Sequence, residues 1–145
     1  MTDEQTMYLP DREEAKMSGP IVFISTHRIK EGKLEEFKEL SRKVVPSMEA
    51  GKPGTLVYEF YLNEGGTELT IVHVFPDADA MDLHVQGVDE RAADAFEFIE
   101  PQHFEIYGAA SEQVMAMMSG YAGRGIGLTV KPENMAGFIR LQSVR

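Results

Sequence analysis

The chain has no cysteine among its 145 residues. That absence excludes disulfides, thiolate metal sites and cysteine nucleophiles. A chain of this length buries enough core to fold without such staples, as one domain or one domain with an extension. No uninterrupted apolar run approaches the length of a membrane span. The first residues, MTDEQTMYLPDREEAKMSG, have neither the basic start nor the apolar stretch of a signal peptide. A soluble cytoplasmic protein is expected. Basic charge is scarce as well: 14 Lys and Arg stand against 24 Asp and Glu, for a net charge of −10. Such a surface repels phosphate backbones and anionic lipid, so neither nucleic acid nor membrane is an expected partner. The acidity is read as a source of solubility.

Residues 1–19 are polar, mostly acidic and without a sustained period, which predicts a flexible acidic arm. IVFISTHRI, residues 21–29, reads as a strand with Phe23, Ser25 and His27 on one face. KLEEFKELSRKVV then takes up the helical period, with Leu34, Phe37, Leu40, Val44 and Met48 near one stripe. Pro46 is expected to end or kink that helix near Val45. TLVYEFYL and TELTIVHVF, joined by NEGG, read as a β-hairpin over residues 55–75. Pro76 stops it, Asp77 or Asp79 caps a helix starting near Ala78, and a weak stripe runs through Gly87 to Ile99 until Pro101. QHFEIYGA, residues 102–109, reads as the fourth strand.

The order β-α-β-β-α-β is the ferredoxin-like α+β pattern, an antiparallel sheet with both helices on one face. A bare apolar sheet face associates in water, so a second copy of the chain is the expected cover. Residues 111–145 form an added C-terminal piece on the same domain, 20–110. It comprises a Met-rich helix capped by Ser111, a glycine-rich run into a strand, and a last strand from GFIRLQSV. GRGIG, residues 123–127, lacks the lysine, leading strand and trailing helix of a phosphate loop and reads as a turn.

Residues 21–109 resemble the antibiotic biosynthesis monooxygenase family of small dimeric α+β barrels. The resemblance is carried by IKEGKLEEF after the first strand, by PGTLVYEFYLNEG, and by FPDADAMDLH. In the last of these the family shows an aromatic residue, commonly tryptophan, then an alanine five and a histidine nine residues on. Phe75, Ala80 and His84 hold those positions. Two departures stand out: the chain has no tryptophan, and His73 stands where a glutamate is frequent. The resemblance implies a homodimeric barrel. Its activities range from cofactor-free oxidation of quinol-like aromatics to haem degradation.

The residues themselves point to one candidate site. Leu69, Ile71, His73 and Phe75 share a strand face, with His73 about 7 Å from Phe75 along the strand. A helix packed over that face brings His84 down near Phe75. An aromatic wall with imidazoles at its rim suits a flat acidic molecule, offering stacking area and bases that titrate near neutrality. His84 and His73 are therefore the candidate proton acceptors, and Phe75, Tyr58, Ser25 and His27 the candidate substrate contacts. Each has a plainer reading: interface or surface histidine for His84, hydrogen-bonded sheet histidine for His73, strand-end structure for His27, core for Tyr58. His103 reads as structural. Met115, Met117 and Met118 form either an adaptable lid or a helix's buried face. No histidine pair has metal-site spacing on a helix, so no metal is expected.

The leading expectation is a cofactor-independent monooxygenase acting with O2 on a small aromatic or quinol-like compound. The alternatives are a non-catalytic binding or dimerisation module of the same fold, and a haem-binding or haem-degrading protein with His84 on iron. The absent tryptophan argues against haem.

Overall fold

The computed structural model describes residues 19–140; all but the last residue of the arm expected over residues 1–19, and the end of the expected last strand, lie outside them. Five strands form one sheet in the order β2-β3-β1-β4-β5. They are β1 (Ile21–Ile29), β2 (Val57–Leu62), β3 (Glu68–Phe75), β4 (Ile99–Tyr107) and β5 (Gly127–Lys131). The first four pair antiparallel, and β5 adds parallel to β4. The helices are α1 (Leu34–Gly51), α2 (Ala78–Val85), α3 (Val88–Ala95) and α4 (Glu112–Ala122). This is the α+β ferredoxin-like fold with an added helix and strand.

Alternation decides which side of the sheet is covered. Ile21, Phe23, Ser25, His27 and Ile29 are buried, while Val22, Ile24 and Thr26 between them are only half-buried. The helices cover the first face in two clusters. One gathers Ile21, Phe23, Phe75, Phe104 and Ile106 with Met81 of α2 and Val114 and Met118 of α4. The other gathers Ile29, Leu69, Ile71 and Ile99 with Phe37 of α1. On the far face Val22 pairs with Val74, and Ile24 with Val72, all half-buried.

Several boundaries differ from the sequence-based expectation. Helix α1 runs straight through Pro46. Proline removes one backbone bond, but Pro46 is exposed, and buried Phe37 and Met48 anchor the helix on either side of it. The helix expected from Ala78 onward breaks at Gly87, whose φ of 80° reverses the chain between α2 and α3. Ile99 and Pro101 belong to β4 rather than to a helix. Pro101 pairs with His27 beside a bulge, beyond the point where β5 begins to pair at His103. A missing N–H costs little where no neighbouring strand waits on that side. Residues 137–140 form no strand, so the added strand beside β4 is β5 alone among the described residues.

Candidate functional site

The two core clusters do not meet completely. The seam between them is a cavity of about 140 Å3. The sheet supplies Phe23, Ser25 and His27 from β1, Tyr58 from β2, Ile71 and His73 from β3, and Ile99 and Phe104 from β4. His84 and Val85 of α2, Val88, Arg91, Ala92 and Ala95 of α3, and Met117, Met118 and Tyr121 of α4 close it. A second hollow of about 70 Å3 shares Tyr58, Ile71, Arg91, Ala95 and Ile99 with the first.

His84 reaches the cavity because of how α2 begins and ends. The Asp77 side chain accepts from the Ala80 amide and caps the helix start. At the other end Lys52 Nζ donates to the Leu83 and Gln86 carbonyls at 2.6 and 3.2 Å. Arg91 donates to the Gln86 and His84 carbonyls at 2.9 and 2.7 Å. These cations satisfy carbonyls that a helix end leaves free. So held, the His84 ring is 4% exposed and hydrogen-bonds through Nδ1 to Thr55 Oγ1 at 2.8 Å.

His73 and Tyr58 face each other across the β2–β3 pair. With His84 they form a triangle: ring centroids lie 5.1 Å apart for His73–His84, 5.2 Å for Tyr58–His84 and 5.3 Å for Tyr58–His73. His73 Nδ1 donates to the Phe23 carbonyl at 2.9 Å. A carbonyl only accepts, so Nδ1 carries the proton and Nε2 of the neutral ring keeps its lone pair. Ser25 Oγ and His27 Nε2 lie 3.0 Å apart on the same wall, and His27 Nδ1 is buried without a partner among the described residues.

All three cavity imidazoles are held neutral. Burial is the main cause each time. It lowers His27 to about 4, His73 to about 4 despite the Phe23 hydrogen bond, and His84 to about 3, with help from nearby His73, Arg91 and Lys52. Burial raises the Tyr58 hydroxyl, against a smaller opposing pull from Arg91.

The sequence-derived residues thus converge, with one correction. Phe75 lies 5.1 Å from His84, ring to ring, but it is fully buried and is not among the residues lining the cavity. It supports His84 from below and has no free face for a ligand. Sequence reasoning missed Arg91, Phe23, Phe104 and Tyr121. Arg91 sits on a weak helical stripe and carries no motif; Phe104 lies in none of the motifs that carried the family resemblance, and Tyr121 lies beyond residues 21–109 altogether. Of the methionines, Met118 is buried and Met117 lines the cavity beside it, so α4 is both core and wall.

Among the described residues no group of three or more His, Asp or Glu is placed to hold a metal ion. A haem does not fit either. A hollow of about 140 Å3 matches a single benzene-sized ring, whereas a porphyrin joins four pyrroles in one plane. Among the described residues no helix is long and apolar enough to cross a membrane.

Comparison with known proteins agrees with this architecture. MupZ from Pseudomonas fluorescens is similar at 24% identity and a TM-score of 0.65, over 89% of this chain and 95% of that one. That likeness reaches past the central segment into the added C-terminal piece. SO0527 from Shewanella oneidensis matches at 24% identity and a TM-score of 0.54, over 63% of this chain and 91% of its own. A candidate antibiotic biosynthesis monooxygenase from Caulobacter crescentus CB15 matches at 19% identity and a TM-score of 0.56, over 66% and 93%. At these identities the likeness is one of fold. No curated protein matches the sequence. The model of the antibiotic biosynthesis monooxygenase family matches residues 20–96, more than half of the chain; the protein belongs to that family.

Proposed function

We propose that the protein is a cofactor-independent monooxygenase that oxidises a small aromatic or quinol-like compound with O2. The observation that carries this reading is the grouping of two neutral, hydrogen-bonded imidazoles and a phenol on one wall of an apolar, ring-sized cavity. A phenol or enol passes an electron to O2 readily only as its anion, so the protein's first task is to take a proton. His73 is the better acceptor of the pair, because its hydrogen bond to Phe23 leaves Nε2 unprotonated. His84 orients the substrate oxygen, with Thr55 setting its ring. The largely apolar lining of the cavity protects the intermediate from water.

The overall step balances without an external reductant. A ring C–H and a phenolic O–H of the substrate give up their two hydrogens; one oxygen of O2 becomes the new C=O on that carbon, the other leaves as water, and the substrate, now a quinone, supplies every electron. The direct test is oxygen uptake with a substituted hydroquinone, with the oxygenated product identified by mass. Consumption of O2 above the spontaneous rate is expected. Its absence across single-ring phenols and quinols would leave the fold as a binding module.

The same reading includes a homodimer. Val22, Ile24, Val72 and Val74 form a half-buried apolar strip on the sheet face that the chain's own helices leave uncovered. A second copy is the expected cover. Size-exclusion chromatography with light scattering should give twice the chain mass of 16.2 kDa, and Val72→Lys should shift it to the monomer. A monomeric native protein would remove this part of the reading.

A further inference from the structure

Arg91 introduces a charge that the proton-transfer reading leaves unused. Among the described residues it is the one Lys or Arg side chain lining the cavity, and it lines both hollows. Its visible partners are neutral: the peptide carbonyls of His84 and Gln86. Among the described residues no carboxylate comes within ion-pair distance of it, although the chain has 24 acidic side chains. A guanidinium has five N–H donors, and the two carbonyl bonds occupy two of them. A half-buried cation beside an apolar cavity, without a counter-ion among the described residues, gains when an anion arrives.

We infer that the cavity selects a ring compound bearing a carboxylate, and that Arg91 is the anchor for that group. This inference rests on the proposed small-molecule site but not on the reaction performed there. The imidazoles do not replace Arg91 in this role, because at neutral pH all three are uncharged. The guanidinium fork matches a carboxylate with two parallel hydrogen bonds, which gives direction as well as charge. An aromatic ring in the 140 Å3 hollow, against Phe23 and Phe104, then presents its opposite edge to His73 and His84. The acidic surface works against an anion at long range, but salt screens that repulsion, whereas the contact with Arg91 is local. Once seated, the carboxylate also removes the positive field that disfavours an imidazolium at His73 and His84, so binding prepares the base.

Arg91 also caps α2, and a purely structural role must be told apart from anchoring. The probes are 4-hydroxybenzoate and 4-hydroxybenzamide, which have nearly the same shape and differ in charge. Calorimetric titration of the native protein at pH 7.5 should show the benzoate binding at least tenfold tighter. In Arg91→Met the ratio should fall to near one, and Arg91→Lys should keep part of it. Lys52→Met removes another cap from the same helix end and should leave the ratio intact. Equal affinity for the two probes, no saturable binding of the benzoate at millimolar concentration, or a ratio that survives Arg91→Met would each overturn the inference. None of these readings depends on turnover, so a protein that prefers the benzoate yet consumes no O2 would lose its proposed reaction and keep this anchor.

Discussion

Replacing His73 with phenylalanine is expected to lower turnover by about 10^2- to 10^4-fold, the range spanned by a positioned general base. It should leave the affinity for a carboxylate probe nearly unchanged. The substitution keeps a planar ring where His73 now packs, 4.6 Å from Phe23 and 5.3 Å from Tyr58 between centroids. It removes two things: the Nε2 lone pair and the donor to the Phe23 carbonyl. The second costs about 1 kcal/mol of stability, too little to unfold the protein, so a loss of rate in a folded variant reports on the base. His84→Phe is the matched comparison. If it loses far more rate than His73→Phe, the proton acceptor is His84 and the tautomer argument fails.

A base whose pKa sits near 4 in the empty cavity looks too weak to deprotonate a phenol, whose pKa is about 10. The low value reflects an imidazolium with no counter-ion, in a site where burial and Arg91 both oppose charge. Proton transfer creates the counter-ion in the same step. The imidazolium and the new phenolate then sit against each other in an apolar site, where their attraction is far stronger than in water. Catalysis by this site depends on making an ion pair rather than on an intrinsically strong base. The acid limb of the rate profile should therefore fall well below pH 6.5, the ordinary histidine value.

Acidification should destabilise the fold over a definite window. In the unfolded chain a histidine binds a proton below about pH 6.5. In the folded protein His27 and His73 wait until about pH 4 and His84 until about pH 3. Between those limits the unfolded state holds more protons, so stability falls as pH falls. Above pH 6.5 all three groups are neutral in both states and their contribution is flat. Each pKa unit corresponds to about 1.4 kcal/mol, and the three rings share one cavity, so their losses are not strictly additive. The total still reaches several kcal/mol, which for a chain of this size lowers the melting temperature by about 10 °C or more. Thermal unfolding followed by circular dichroism should show a plateau above pH 7 and a steep decline from pH 6.5 to 4. His84→Phe should flatten that decline. A native protein whose melting temperature is unchanged across the window would mean that the imidazoles reach water.

Much of the architecture is legible from local pattern. The hairpin follows from two β-rich runs around Asn63–Gly66, and Asn63 does accept from the Thr67 and Glu68 amides there. The capping roles of Asp77 and Ser111 follow from residue type and position. Strand alternation puts His73 on the same face as Ile71, and Ser25 with His27, before any contact is known. Boundaries set by competition are less legible. Pro46 argues locally for a helix end, but the burial of Met48 two residues later outweighs one lost hydrogen bond. Ile99 suits a helix stripe as well as a strand, and only its place opposite Ile29 on β1 decides.

By itself, then, the sequence determined the order of the first four strands, the acidic composition and the gathering of histidines near one strand-to-helix corner, because periodicity and capping act over a few residues. Only the tertiary structure decided that Phe75 lies beneath the site rather than in its wall, that Phe23 fixes the His73 tautomer, and that Arg91 meets neutral carbonyls and no carboxylate among the described residues beside the cavity. Each of those facts is a contact between strands or helices distant along the chain, set by how two core clusters fail to meet, and no local pattern of residues records it.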